Sequence, residues 1–314
     1  MTEEHVPDKS KNIWIKVLFI FLAIAMYTFF GLSFVIGKET LKVVPPFYLT
    51  GVRMLFASGI ILLLQLLVDR KKFYWPKGMW LEIAMLSIFN IFFTNVLEFW
   101  GLQYMSCYKT CYIYSLSPFL AAIISFIFLK EKLGWMKIFG LVVAFLGFAP
   151  LLIYKEGGKG SFYISQAEWA LLGAAIATVI GWVFMRKICY QKKYPPLMAN
   201  GISMLIGGLL CFIPTMMFET IAPAPVSNWP LFIKGVVVMA LINNVIGYNL
   251  YAYLVKKFTV TLMTFIGFIT PLVTALLGWI FLKEPVTMLF FISYGIVLVG
   301  FFFFTREEVV YNVK

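Results

Sequence analysis

Apolar runs of 19 to 24 residues recur from one end of the chain to the other, separated by short polar segments. A helix rises about 1.5 Å per residue, so roughly 20 apolar residues cross a hydrocarbon core of about 30 Å. Ten runs meet that length: 13–36, 46–68, 79–101, 106–129, 135–153, 167–185, 195–217, 230–252, 260–282 and 286–304. Most connectors are brief and carry helix-stopping or charged residues, such as Pro45-Pro46, Asp69 to Lys72, Lys130 to Lys132, Pro195-Pro196 and Lys256-Lys257. The longer ones, 154–166 with its three glycines and 218–229 with Pro223 and Pro225, are too short for a soluble domain. The pattern predicts an all-α integral membrane protein of ten transmembrane helices.

Composition agrees. Charged residues make up 13% of the chain against 62% hydrophobic, with mean hydropathy +0.91, whereas soluble domains carry about 25% charged residues to keep their surface wet. The net charge of +12 does not mark a nucleic-acid binder, because the basic residues lie in the short connectors. With the N-terminus inside, 18 of the 26 lysines and arginines fall on the cytoplasmic side, as the positive-inside rule requires. That bias places both termini in the cytoplasm. The run 13–36 is longer than a signal-peptide core and lacks a small-residue cleavage site, so it reads as the first span. Cys107, Cys111, Cys189 and Cys211 form no metal-binding spacing, and the single histidine is His5. Cys107 and Cys111 share a helix face as small packing residues.

The chain also repeats itself. A shift of 150 lays Ala25 on Ala175, Thr28 on Thr178, Gly31 on Gly181, Pro45-Pro46 on Pro195-Pro196 and Gly51 on Gly201. A shift of 153 lays Asn90 on Asn243, Pro118 on Pro271, Phe128 to Glu131 on Phe281 to Glu284, and Gly147-Phe148 on Gly300-Phe301. Each copy holds five helices, and an odd number turns the second copy over in the membrane. The expected organisation is a tail 1–12, a first five-helix repeat 13–153, an external linker 154–166, a second repeat 167–304 and a tail 305–314. Inverted repeats are a recurrent architecture of secondary transporters, in which related halves exchange shapes about a central site.

Two five-helix repeats, each with a proline in its fourth helix and an acidic residue closing it, resemble the drug/metabolite transporter superfamily and its EamA-type ten-helix permeases. The carrying segments are Ser117-Pro118 through Glu131 and Thr270-Pro271 through Glu284. The resemblance implies a central cavity lined by helices 1, 3, 4, 6, 8 and 9. One departure stands out: relatives commonly place Gly before the closing acid, whereas this chain has Lys130 and Lys283.

Polar groups inside spans are costly in hydrocarbon and tend to face a cavity. Those singled out as substrate-binding candidates are Arg53, Asn90, Asn95, Glu98, Lys109, Asn243 and Asn244, with Tyr112 among the aromatics that could stack on a planar ring. Arg53, Glu98 and Lys109 have uncharged repeat counterparts, Ser203, Tyr251 and Leu262, so folding of the repeat does not demand charge there. All three fall in the outer third of the bilayer, where they bind a zwitterion or pair with one another. Pro118 and Pro271 each remove a backbone hydrogen bond and bend a span, which makes them gating candidates. Glu131 and Glu284 read as interfacial anchors.

These features point to a secondary transporter of small polar metabolites by alternating access, most naturally an amino acid or an amino-acid-containing metabolite such as S-adenosylmethionine. Its expected partners are the bilayer, the small-molecule substrate, and a coupling ion or counter-substrate; no cofactor is implied. An exporter of drugs or nucleotide sugars, or a channel, are the alternatives. A membrane enzyme would want clustered acids or histidines, and an ATP-driven pump a phosphate-binding GxxxxGK[ST] loop; neither occurs.

Overall fold

A computed structural model describes residues 9–129, 134–153, 164–219, 225–254 and 266–311. Among them every regular element is helical: α1 (Lys9–Thr40), α2 (Pro46–Val68), α3 (Trp80–Leu102), α4 (Cys107–Tyr114), α5 (Ser117–Leu129), α6 (Trp135–Ile153), α7 (Gln166–Arg186), α8 (Pro196–Leu210), α9 (Phe212–Phe218), α10 (Trp229–Leu254), α11 (Ile269–Leu282) and α12 (Met288–Tyr311), besides one short 3₁₀ turn. Seven helical stretches are long and apolar enough to cross a membrane, α8 and α9 counting as one, and α6 and α11 are shorter apolar helices.

Local chemistry sets the helix starts. Pro45 and Pro195 are extended, and Pro46 and Pro196 occupy the first helical position, where the missing N–H would be unpaired anyway. Helix α7 opens with a capping box: Ser165 accepts from the Glu168 N–H while the Glu168 carboxylate takes the Ser165 N–H.

The expected spans 106–129 and 260–282 are not continuous helices. The first breaks after Tyr114, at Ser115 (φ −67°, ψ −3°), and the second at Phe268 (φ −64°, ψ −11°), which a shift of 153 superposes on Ser115. Pro118 and Pro271 therefore lie in the first turn of α5 and α11 instead of bending a helix midway. Pro118 has no N–H to bond the Tyr114 carbonyl and Pro271 none to bond the Gly267 carbonyl, so the preceding helical turn is not continued through them. The Tyr294 hydroxyl donates to the Phe268 carbonyl at the second break, and the Ser115 and Ser117 hydroxyls donate to the Cys111 and Tyr114 carbonyls at the first. Residues 260–265 and Glu131 lie outside the described residues.

The two halves pack as inverted copies. A Cβ on Gly51 would meet Phe212 and Cys211, and one on Gly201 would meet Leu62 and Ile61. Each of these contacts maps onto the other under the shift of 150. The same reciprocity joins α6 to α12, where Gly147 faces Val297 and Gly300 faces Ala144. Equivalent helices thus run antiparallel across a two-fold axis perpendicular to them, the geometry of opposite membrane topologies. Lipid is as apolar as a leucine side chain, so close approach of small residues, not the hydrophobic effect, holds such crossings. Outward faces stay apolar, with Leu67, Val68, Met216 and Phe302 all exposed.

Candidate substrate-binding site

Arg53 sits two turns into α2 and is 1% exposed. Its Nη2 donates to Asn95 Oδ1 (2.7 Å), its Nη1 lies 3.9 Å from Met239 Sδ, and the guanidinium rests 4.3 Å from the Phe99 ring centroid. Its Nε has no hydrogen-bond partner, and no carboxylate lies within ion-pair distance among the described residues. A buried arginine so thinly partnered is costly unless another group completes it.

Asn95 is aimed at Arg53 by the widened turn before it. Residues Ser87–Phe93 form a π-helical turn, which displaces the regular backbone bonding, and Asn95 Nδ2 donates to the carbonyls of Asn90 (3.2 Å) and Ile91 (2.9 Å). That leaves Asn95 Oδ1 for the guanidinium. The repeat-equivalent stretch of α10, Ala240–Gly247, is also π-helical. There Asn249 Nδ2 donates to the Val245 carbonyl (2.8 Å), Asn243 is half-buried, and Asn244 is fully buried with its Nδ2 3.5 Å from Met54 Sδ and its Oδ1 unpartnered. Asn90 is buried against Gly181 of α7, where a Cβ would come within 2.4 Å of its own Cβ.

Glu98 lies one turn beyond Asn95. It is half-buried, and among the described residues it has no hydrogen bond or ion pair. Arg53, Cys111, Tyr114 and Tyr248 lie within reach of its charge. Aromatic rings gather around this level: Phe34 faces Tyr114 (6.4 Å between centroids), Phe30 faces Tyr248 (6.3 Å), and Trp182 faces both Tyr248 (6.1 Å) and Tyr251 (4.3 Å). The Tyr114 hydroxyl bonds Thr178 Oγ1, which also bonds Thr94 Oγ1 (3.0 Å). Apart from Arg53 on α2, the residues come from α1, α3, α4, α7 and α10, which correspond to the expected spans 1, 3, 4, 6 and 8 that the resemblance places around the cavity.

Two sequence candidates lie elsewhere. Lys109 pairs with Glu168 of α7 at 2.7 Å, and both are buried. It is joined to neither Arg53 nor Glu98. Tyr112 is 1% exposed, donates to the Gly147 carbonyl (3.0 Å) and packs 4.5 Å from Phe148, within the core shared by α4, α6 and α12. Both face away from the Arg53 region because they lie on other sides of the short helix α4 than Tyr114. Phe30, Trp182 and Tyr248 escaped the sequence reading. A usable signal was the repeat itself, since Tyr248 is the counterpart of Asn95 under the shift of 153.

Carboxylates also tie the halves together. Glu219 accepts the Phe47 (2.7 Å) and Tyr48 (2.9 Å) N–H groups at the start of α2. Burial raises the Glu219 carboxyl above its ordinary range, an effect these two donors oppose. Glu284 accepts the Cys107 N–H (2.8 Å) at the start of α4. The anchoring acid is thus a helix cap supplied by the opposite half. Lys283, just before it, holds φ +58°, a left-handed conformation that favours glycine. Glycine would hold this conformation without strain.

The profile of the EamA-like transporter family matches twice, over residues 17–153 and 166–306. The S-adenosylmethionine/S-adenosylhomocysteine transporter of Chlamydia muridarum (strain MoPn / Nigg) is 32% identical over 303 residues, covering 95% of this chain and 94% of that protein. The protein of the same name from Chlamydia trachomatis serovar L2 is 31% identical, over 92% and 89%. An uncharacterized transporter of Archaeoglobus fulgidus is 26% identical, over 90% and 96%. A solved crystal structure 19% identical in sequence superposes with a TM-score of 0.64, covering 92% of this chain and 96% of that one, and shares the fold. Two inverted halves, each matching the same profile, establish the chain as a member of the EamA-like transporter family.

Proposed function

We propose that this protein carries an adenosyl-amino acid of the S-adenosylmethionine and S-adenosylhomocysteine kind across a bacterial cytoplasmic membrane by alternating access, without chemical change to the substrate. The observation that carries the proposal is full-length similarity, at 32% identity, to a transporter named for those two compounds. The chemistry of the Arg53–Glu98 region supports it. Such a substrate has a carboxylate, cationic groups and a purine ring; the region offers a guanidinium, a carboxylate and aromatic faces. Asn90, Asn243 and Asn244 supply amides at the two π turns, and Asn95 one just beyond the first. Arg53, behind Asn95 and Phe99, acts through its field until the halves move.

Both termini are assigned to the cytoplasm, and the breaks before Pro118 and Pro271 are assigned as the points about which α4–α5 and α11 pivot. A nucleotide-sugar exporter is disfavoured, because phosphates call for several inward basic groups and Lys109 is committed to Glu168. The test is counterflow: purified protein in liposomes preloaded with unlabelled S-adenosylhomocysteine should accelerate entry of labelled S-adenosylmethionine, and uptake should saturate. Flux that rises linearly without trans-stimulation would reject alternating access. No flux of either compound would reject the substrate assignment.

A further inference from the structure

Glu98 stands in surroundings suited to a cation that brings no hydrogen bonds. Its carboxylate is half-buried and unpaired among the described residues. Of the polar groups beside it, the Tyr114 hydroxyl is engaged with Thr178, Asn95 Oδ1 with Arg53, and Asn95 Nδ2 with two backbone carbonyls. An ammonium carries three N–H donors, and one carboxylate would leave some of them unmet in a site of low dielectric, at the cost of unmade hydrogen bonds. A sulfonium has no donor at all. Its charge is spread over methyl and methylene groups, which a carboxylate field and aromatic faces hold together. Tyr114 and Tyr248 lie within reach of the Glu98 charge, with Phe30, Phe34 and Trp182 packed against them.

We infer that Glu98 is the specificity-determining residue that distinguishes a sulfonium substrate from its neutral thioether, by facing the sulfur centre and not the amino group. The inference rests on the adenosyl-amino-acid reading above. It implies an asymmetric site: the methylated, cationic compound is held by charge, whereas the demethylated one is held by its ring and amino-acid ends alone and leaves more readily.

Counterflow in liposomes with labelled S-adenosylmethionine and, separately, labelled S-adenosylhomocysteine tests this in the wild type, Glu98→Gln and Glu98→Asp. Glu98→Gln should raise the apparent KM for the sulfonium about tenfold, the loss of one favourable charge contact, while that for the thioether stays within about twofold. Glu98→Asp should recover most of the sulfonium preference, and detergent melting of all three proteins controls for folding. An equal loss for both compounds, or no loss for either, would overturn the inference while leaving the substrate assignment standing. A wild type that carries neither compound would overturn the assignment and the inference with it.

Discussion

Two buried charge clusters of this protein have opposite character. Lys109 and Glu168 are closed on each other at 2.7 Å, and Glu168 also accepts from the Ser165 N–H (2.7 Å) and hydroxyl (2.9 Å). Arg53 and Glu98 are held near one another without contact, the guanidinium with one amide oxygen, one thioether and a ring, the carboxylate with no partner among the described residues. A satisfied pair fastens α4 to α7 and so joins the halves. An unsatisfied pair in the same apolar surroundings is a cost that a bound zwitterion would relieve. Burial of charge does not distinguish the two clusters; the completeness of their partnering does.

The largest expected effect comes from opening the closed pair. Lys109→Leu strands Glu168, and breaking a buried pair costs about 3–5 kcal/mol, near the low end here because Ser165 keeps two donors on the carboxylate. The melting temperature in detergent should fall sharply, and Lys109→Leu combined with Glu168→Gln should restore part of it. A single variant as stable as wild type would place Lys109 in the same class as Arg53.

Arg53→Gln is expected to behave in the opposite way. It removes a charge with no carboxylate to strand at contact distance, so melting should stay near wild type while counterflow drops about tenfold, equivalent to about 1.4 kcal/mol of binding. Loss of melting temperature with rescue by Arg53→Gln/Glu98→Gln would show a structural pair instead. The smallest effect is expected at Lys283, beside the Glu284 cap. Lys283→Gly relieves a left-handed conformation worth about 1 kcal/mol, less the entropy that glycine gains in the unfolded chain. A slight rise in melting temperature with unchanged flux is the expected outcome, and a fall would mean that the lysine side chain contributes more than its backbone costs.

Much of the fold was legible because the bilayer imposes a length on every span. The stretch 46–68 is reproduced as α2, and 195–217 is reproduced within one residue as α8 and α9. The repeat was legible because prolines and glycines keep their places where backbones approach or helices begin. The sequence predicted bends at Pro118 and Pro271, but the breaks fall earlier, at Ser115 and Phe268. A proline acts on the turn before it: the Ser117 hydroxyl takes up the Tyr114 carbonyl that Pro118 leaves without an N–H, while Ser115 and Tyr294 bond the Cys111 and Phe268 carbonyls at the two breaks.

At the candidate site, the residue types were legible and the partners were not. Arg53, Glu98 and Lys109 share one signature, a charge within an apolar run without a charged counterpart in the repeat. Hydropathy gives depth and periodicity gives the face of a helix, but neither says which helix lies opposite. The sequence by itself determined the class, most of the spans, the duplication and which charges interrupt apolar runs, since these follow from transfer energies and local backbone chemistry. Only the tertiary structure decided that Lys109 meets Glu168, that Tyr112 belongs to the core, that Glu219 and Glu284 cap helices of the opposite half, and that Glu98 is left open among aromatic rings. Each of those depends on residues distant in the chain, up to 177 positions for Glu284 and Cys107, being brought together by packing within and between the inverted halves, a geometry that no local pattern encodes.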